Sequence, residues 1–177
     1  VNVHRVNWMW ANPEVFKKAG ATIPKTWDEF AIAAEKIQKA GMIPVAHGGQ
    51  PWQDFTIFES IVLGVGGADF YQKAMVKLDP VALSSPTMEK SFAMFKTVRK
   101  YVDKDFSGRD LNLAMAMIIQ DKAGMQFMGY WAKGEFAVAG AEHRLRHRRR
   151  SARARRGRHA DSRQWPAYGR GRRRQFR

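Results

Sequence analysis

The chain of 177 residues contains no cysteine. A disulfide framework and a thiolate metal site are therefore both excluded. The sequence also has no apolar run approaching the roughly 20 residues that a membrane-spanning helix needs, so membrane insertion is not expected. Lysine is absent from residues 142–177, although it is frequent before them. This last absence coincides with a change of chemistry that divides the chain in two.

Most of the formal net charge of +15 lies in the last segment. Residues 142–177 contain fifteen arginines against two acids, Glu142 and Asp161, which gives this segment a net charge of +13. Residues 1–141 contain 16 basic and 14 acidic residues, and 13 of the bases are lysine. We expect 1–141 to be an ordinary folded domain. We expect 142–177 to be disordered, because its apolar residues are too sparse to bury a face.

Two hypotheses account for the arginine-rich segment. Out-of-frame translation of GC-rich DNA produces abundant arginine, since arginine codons are rich in C and G, and this is the preferred interpretation. A selected basic arm would instead bind phosphates through counterion release, which would make the chain a nucleic-acid-binding protein. The coding DNA distinguishes them: another frame past codon 140 should restore the pattern of a folded domain if the first hypothesis is right.

Residues 1–141 alternate helix and strand signals, with helices in the majority. Asn12 followed by Pro13 predicts a helix start, and Thr26 with Glu29 predicts a capping box. Thr87 is predicted to cap a longer helix, and the glycines at 64, 66 and 67 are predicted to end an earlier one. Strands are predicted over 1–6, 43–46 and 124–128, and helices over 13–20, 27–41, 54–63, 70–75, 87–102, 111–120 and 131–138. This alternation favours an α/β fold.

Aromatic and amide side chains concentrate where predicted strands end, namely Trp8 and Trp10, then His47, Gln50, Trp52, Gln53 and Asp54, then Trp131. Sugar rings present apolar C–H faces that stack on aromatic planes, and hydroxyls that need amide or carboxylate partners. Loops at the carboxyl ends of strands are where open α/β sheets bind ligands. A single tryptophan is more often a core or cap residue. The loop over 47–54 is nevertheless interpreted as a ligand-binding loop, because a purely structural loop does not need so many planar donors.

Signals for catalysis are weak. His4 and His47 share no metal-ligand spacing, so neither a metal site nor any other cofactor is expected. The carboxylates of Asp54, Glu59 and Asp110 could form the acid pair of a glycosidase, but nothing in the sequence fixes their separation. A glycoside hydrolase fragment therefore remains an alternative to a binding protein.

Several motifs resemble one protein family. They are Val1-Asn-Val-His4 running into Asn7-Trp-Met-Trp10, Pro24-Lys-Thr-Trp-Asp-Glu29, Pro44-Val-Ala-His-Gly-Gly-Gln-Pro-Trp-Gln53, Phe106-Ser-Gly-Arg-Asp110, and Gly124-Met-Gln-Phe-Met-Gly129 with Trp131-Ala-Lys-Gly134. Together they cover residues 1–140. These residues resemble the middle of a bacterial extracellular solute-binding protein (family 1), the sugar-binding component of an ABC importer, and glucose/mannose-binding members are the most similar.

The resemblance implies an α/β fold of two lobes that close on a sugar, with one mostly helical lobe represented here. Residues 1–6 would be a hinge-crossing strand, 7–123 most of the second lobe, and 124–128 a strand returning to its sheet. Because the chain starts at Val1 inside a strand-like segment, we interpret it as a fragment. Tyr130 stands where the family pattern suggests aspartate, which removes one carboxylate from the expected site.

The resemblance also implies a function and a location. Such proteins work in the periplasm, deliver sugar to the permease subunits of the importer and are not enzymes; neither a specific nucleic acid nor a cofactor is implied. The implied sugar contacts are Trp8, His47, Gln50, Trp52 and Trp131, with Asn7, Trp10, Gln53 and Asp54 as weaker candidates. With one wall of the cleft, this chain is expected to bind glucose at millimolar concentration or not at all.

Overall fold

The computed structural model describes residues 7–139 and the backbone of residues 146–148. The described strands are β1 (Asn7–Ala11), β2 (Ile43–Val45), β3 (Ala123–Gly129) and β4 (Arg146–Arg148). The helices are α1 (Pro13–Lys18), α2 (Trp27–Lys39), α3 (Pro51–Tyr71), α4 (Pro80–Leu83), α5 (Pro86–Lys100), α6 (Leu111–Ile119) and α7 (Ala132–Val138). A π-helical turn spans Gln72–Val76 and a 3₁₀ turn spans Lys104–Phe106. The strand predicted over 1–6 lies outside the described residues, as does most of the arginine-rich segment.

The four strands form one sheet in the order β2-β3-β1-β4. β2 runs parallel to β3, and β1 runs antiparallel to β3 with Asn7 opposite Gly129. All seven residues of β3 are buried, which confirms the central strand predicted there. Trp8 and Trp10 were expected beyond a strand end, but both lie within β1, because that segment pairs with β3 along its whole length.

β4 falls in the segment that was expected to be disordered. Its backbone pairs antiparallel with β1, with Met9 opposite Arg148 and Ala11 opposite Arg146. The edge of a sheet offers main-chain N–H and C=O groups that pair with almost any sequence. Hydrophobic patterning therefore gave no signal for this short strand.

Helices cover both faces of the sheet. Met9 and Phe127 point to one face and pack with Phe30 of α2 in a cluster that also includes α1, α3 and α5. Trp10 points to the other face and packs in a second cluster with Phe136 of α7 and with α6. Successive strand residues alternate between faces, so each strand contributes to both cores. The predicted α/β organisation is confirmed.

The first two predicted helix starts are observed. Asn12 Oδ1 accepts from the amide of Glu14 at 2.9 Å, and the Thr26 hydroxyl accepts from the amide of Glu29 at 3.1 Å. The return contact of this capping box differs from the prediction. The Glu29 carboxylate accepts from the amide of Lys25, at 2.6 Å, and not from that of Thr26.

The predicted start of α5 was wrong by two residues. Ser85, not Thr87, is the N-cap, with Pro86 at the first helical position and the Ser85 hydroxyl accepting from the amide of Met88 at 3.4 Å. Proline suits this position because its missing N–H would have no helical partner there. The Ser-Pro pair was therefore the better signal.

The glycine run does not end α3 where predicted. Gly64 and Gly66 lie within the helix, and only Gly67 leaves helical geometry, with φ 79° and ψ 178°. The Phe70 ring lies against Gly66 where a Cβ would stand, so the close contact requires glycine there. Helical turns resume at once and run on to Val76. In the described part of the chain, no helix has the length and apolar character needed to cross a membrane.

Candidate functional site

Most of the predicted ligand residues meet at one edge of the sheet, which we call the carboxyl edge. It is formed by residues 46–50 after β2, residues 130–131 after β3 and the beginning of β1. β1 reaches this edge with its first residues because it is antiparallel to β3. Trp10 lies deeper in β1 and is 2% exposed, with its indole N–H donating to the carbonyl of Met128 at 3.3 Å.

Two glycines let the loop after β2 pack against the segment before α6. A Cβ on Gly49 would lie 2.6 Å from the amide nitrogen of Gly108 and 2.8 Å from the carbonyl oxygen of Phe106. A Cβ on Gly48 would lie 2.6 Å from the carbonyl oxygen of Arg109. Backbone atoms cannot yield as a flexible side chain can, so a side chain at either position would push the two loops apart.

His47 is 2% exposed and is fixed by the start of α3. Its Nε2 lies 2.8 Å from Asp54 Oδ1, and the same oxygen accepts from Arg99 at 2.7 Å. Burial lowers the pKa of His47, and hydrogen bonding to Asp54 only partly opposes this effect. Because an ionised carboxylate only accepts, the neutral imidazole must donate from Nε2. Asp54 therefore orients His47 and Arg99.

The two glutamines also make contacts within the loop. Gln53 is fully buried, and its Oε1 accepts from the amide of Gly48 at 3.1 Å. Gln50 Oε1 accepts from Gln53 Nε2 and from the indole N–H of Trp52, both at 3.0 Å. Gln50 is exposed and keeps its own amide N–H₂ on the outside.

Arg109, a partly buried arginine, holds the loop through the segment before α6. Arg109 makes a bidentate contact with Asp103, at 2.7 and 2.5 Å, and also donates to the carbonyl of His47 at 3.1 Å. Hydrogen bonding to Asp103 is the main cause that raises the pKa of Arg109. Sequence reasoning missed both residues, although the Phe106–Asp110 motif contains Arg109.

Two tryptophans form the exposed aromatic surface of the carboxyl edge. Trp52 is 42% exposed and Trp131 is 40% exposed, with ring centroids 6.4 Å apart and planes at 46°. The Trp131 indole lies over Gly129, where a Cβ would be 2.7 Å from its Cδ1. Trp8 is partly buried, and the Tyr130 ring packs edge-on against it with ring centroids 5.0 Å apart.

Asn7 and Tyr71 both contact Glu59, a residue that the sequence did not group with either. The Asn7 amide donates to Glu59 of α3, and the Tyr71 hydroxyl donates to the other oxygen of the same carboxylate. Burial, followed by the contact with Glu59, raises the pKa of Tyr71 to about 12. Glu59 lies seven residues after Trp52, a spacing that places both on one face of α3.

The structure therefore separates the predicted residues into two groups. His47, Gln53, Asp54 and Trp10 make their observed contacts inside the protein, and His47, Gln53 and Trp10 are buried. Gln50, Trp52, Trp131 and Asn7 retain exposed surface at the carboxyl edge, and Trp8 retains less. Contact with a sugar stays a prediction for all nine. Exposed indole faces beside amides and a carboxylate suit a ligand with apolar faces and hydroxyl groups.

The fold and these motifs define a solute-binding protein. The profile of the family described as bacterial extracellular solute-binding protein matches residues 1–144. The chain belongs to this family, as the motifs had indicated.

The chain is similar to longer relatives. A probable sugar-binding periplasmic protein of Brucella suis is 54% identical over 140 residues, and one of Rhizobium meliloti is 53% identical over 139 residues. The alignments cover 79% and 78% of this chain but 33% of each relative. The chain therefore spans about a third of the length of these relatives.

Solved structures show the same fold. The bacterial solute receptor AcbH, described as having an exclusive preference for β-D-galactopyranose, matches with a TM-score of 0.68 and 25% identity. A chitin oligosaccharide binding protein matches with a TM-score of 0.70 and 23% identity. Each match covers 82% of this chain and 38% of the other.

Proposed function

We propose that the chain forms one wall of a monosaccharide site in the sugar-binding component of an ABC importer. The observation that supports this most directly is the exposed pair Trp52 and Trp131 at the carboxyl edge. Most large aromatic side chains of the described region contribute to buried clusters, whereas these two stand at the edge where α/β sheets bind ligands. Two neighbouring exposed indoles offer stacking surface for the apolar C–H face of a pyranose.

The proposal extends to the parent protein. We propose that it works in the periplasm, binds a glucose- or mannose-like sugar and delivers it to the membrane permease subunits. The names of the Brucella and Rhizobium relatives support a periplasmic sugar-binding role. Because the chain spans a third of those relatives, the opposite wall of the cleft would come from sequence outside it.

Catalysis is not part of the proposal. Asp54 is shared between His47 and Arg99, and the Asp110 carboxylate caps α6 by accepting from the amide of Leu113 at 2.8 Å. Both carboxylates therefore have structural roles in this fold. Among the described residues, no cluster of three or more acidic or histidine side chains could hold a metal ion.

The experiment is a sugar titration of the 177-residue chain followed by the indole N–H signals in NMR spectra. D-glucose and D-mannose should shift the signals of Trp52 and Trp131 and leave that of Trp27, in the core, unchanged. Sorbitol is the control, because it offers similar hydroxyls without a ring face. The proposal commits to weak, millimolar binding by this chain, so absence of any sugar-specific shift at high sugar concentration would overturn the proposed site. Submicromolar glucose binding in calorimetry would contradict the inference that only one wall is present.

Single replacements then test the aromatic pair. An aromatic contact contributes about 1 kcal/mol beyond its area burial, so Trp52→Ala and Trp131→Ala should each weaken binding several-fold. Phe92→Ala is the matched control, since Phe92 is also exposed but packs on Phe58 at 4.7 Å between α3 and α5. An equal loss in all three variants would argue against the site.

A further inference from the structure

Glu59 is a carboxylate fixed by two neutral donors. Asn7 donates to one of its oxygens and Tyr71 donates to the other. All three side chains belong to residues that are only partly buried. An ionised carboxylate offers about four acceptor positions, so two hydrogen bonds leave acceptor capacity on both oxygens. Glu59 can therefore accept from a ligand without releasing either protein donor.

Neither donor loses its proton at a pH near neutral. The Asn7 amide does not titrate, and with a pKa of about 12 the Tyr71 hydroxyl stays protonated. Neither donor is a cation, so neither neutralises the charge of Glu59. A carboxylate held in one orientation by neutral partners is a preorganised acceptor, and hydrogen bonds to charged groups are stronger than those between neutral groups.

Glu59 also lies on the wall that bears the exposed tryptophans. Trp52 precedes it by two turns on the same face of α3. Asn7, which contacts Glu59, lies opposite Gly129 in the sheet, and the Trp131 indole covers Gly129. Paired residues of antiparallel strands point to the same face. The carboxylate therefore lies on the same face of α3 as Trp52 and on the same side of the sheet as Trp131.

We propose that Glu59 accepts hydrogen bonds from ligand hydroxyls at the Trp52–Trp131 surface, with Asn7 and Tyr71 as its positioning residues. This inference rests on the proposed sugar site. Glu59 gives that site a carboxylate. The family pattern suggested one at position 130, where this chain instead has a tyrosine that packs on Trp8. A fixed negative charge favours a neutral sugar with a free hydroxyl at the contact point. It disfavours an anionic sugar such as a uronate by like-charge repulsion.

The test compares Glu59→Gln with the unchanged 177-residue chain, using NMR titration with D-glucose, its monodeoxy analogues and D-glucuronate. Glu59→Gln should weaken glucose binding about tenfold, because it replaces a hydrogen bond to a charged acceptor by a weaker one to a neutral amide oxygen. It should also lower the ratio of the affinity for glucose to the affinity for glucuronate. Glu89→Gln is the matched control, because Glu89 is an exposed helical glutamate at the start of α5.

The deoxy sugars keep the test independent of how well the variant folds. In the unchanged chain, removal of one particular hydroxyl should weaken binding, and in Glu59→Gln the same removal should have a smaller effect, because the remaining amide oxygen is a neutral acceptor. Tyr71→Phe retains the carboxylate but loses one positioning donor. It should therefore lose less glucose affinity than Glu59→Gln does, and it should still prefer glucose to glucuronate.

The outcomes separate the two proposals. If glucose shifts the indole signals but no deoxy analogue binds more weakly than glucose itself, the role of Glu59 is overturned and the sugar site stands. The same holds if Glu59→Gln and Glu89→Gln behave alike toward both sugars. If no sugar shifts either indole signal of the unchanged chain, both proposals fail together.

Discussion

Asn12 joins the start of α1 to the turn between α6 and β3, and its replacement should be among the most damaging single changes. Its Oδ1 caps α1 by accepting from the amides of Glu14 and Val15 at 2.9 and 3.3 Å. Its Nδ2 donates to the carbonyl of Ile118 at 2.8 Å and to the carboxylate of Asp121 at 2.5 Å. The side chain is 3% exposed, so water cannot replace these partners.

The expected cost follows from these four contacts. Loss of an N-cap costs about 1 kcal/mol, a neutral hydrogen bond contributes about 1 kcal/mol, and one to a carboxylate about 2 kcal/mol. Asn12→Ala should therefore lower the free energy of unfolding by about 4 kcal/mol. Asn12→Asp keeps the cap, but it loses both donated bonds and places a second carboxylate beside Asp121.

Urea unfolding followed by tryptophan fluorescence measures these differences, with an unchanged denaturant slope as evidence that the folded state is retained. The double variant Asn12→Asp with Asp121→Asn exchanges donor and acceptor, and should recover about 2 kcal/mol of the loss. Asparagine suits position 121, where φ is +59°. If Asn12→Asp is as stable as the unchanged chain, or the exchange recovers nothing, the contact between α1 and the turn does not stabilise the fold.

Two further predictions concern the carboxyl edge. Because burial lowers the pKa of His47 below its ordinary value of 6.5, the folded state binds fewer protons than the unfolded chain; its contribution to stability is complete above about pH 6.5 and falls as the pH decreases toward the folded pKa. Urea unfolding at several pH values should therefore show that the free energy of unfolding of His47→Asn falls less steeply with decreasing pH than that of the unchanged chain. An equal dependence on pH in the two proteins would contradict this assignment. Gly129→Ala should push the exposed Trp131 ring aside and weaken the sugar response with little change in melting temperature, whereas Gly134→Ala, where an added Cβ meets nothing within 4 Å, should leave the response intact. An equal sugar response in both glycine variants would argue against the placement of Trp131.

Features decided by neighbours along the chain were predicted well. The caps at Asn12 and Thr26 depend on contacts two or three residues away, and both were recognised from the residue types alone. The mostly apolar segment 124–128, with Gln126 as its one strongly polar side chain, indicated a strand, and all of β3 is buried. The motif around residues 44–53 indicated the family from its residue types alone, although the steric demands on Gly48 and Gly49 come from the segment before α6.

Features decided by distant partners were not predictable. His47 and Gln53 were predicted as ligand residues, which stays a prediction, and the sequence did not indicate that both also hydrogen-bond within their own loop. The contact between Arg109 and the carbonyl of His47 spans 62 positions. The one between Asn7 and Glu59 spans 52. Pattern and propensity contain no information on which polar side chains will meet at such separations.

The sequence by itself determined the change of composition near residue 141, the α/β class, the starts of α1 and α2 and the family, since these follow from composition and from contacts within a few residues. The tertiary structure decided which side chains face outward at the carboxyl edge. Only the packing of α3 across β1 and β3 brings Glu59 and Tyr71 to Asn7 and leaves Trp52 beside Trp131. Burial and hydrogen bonding set the role of each polar residue, and both depend on elements that are far apart in the chain.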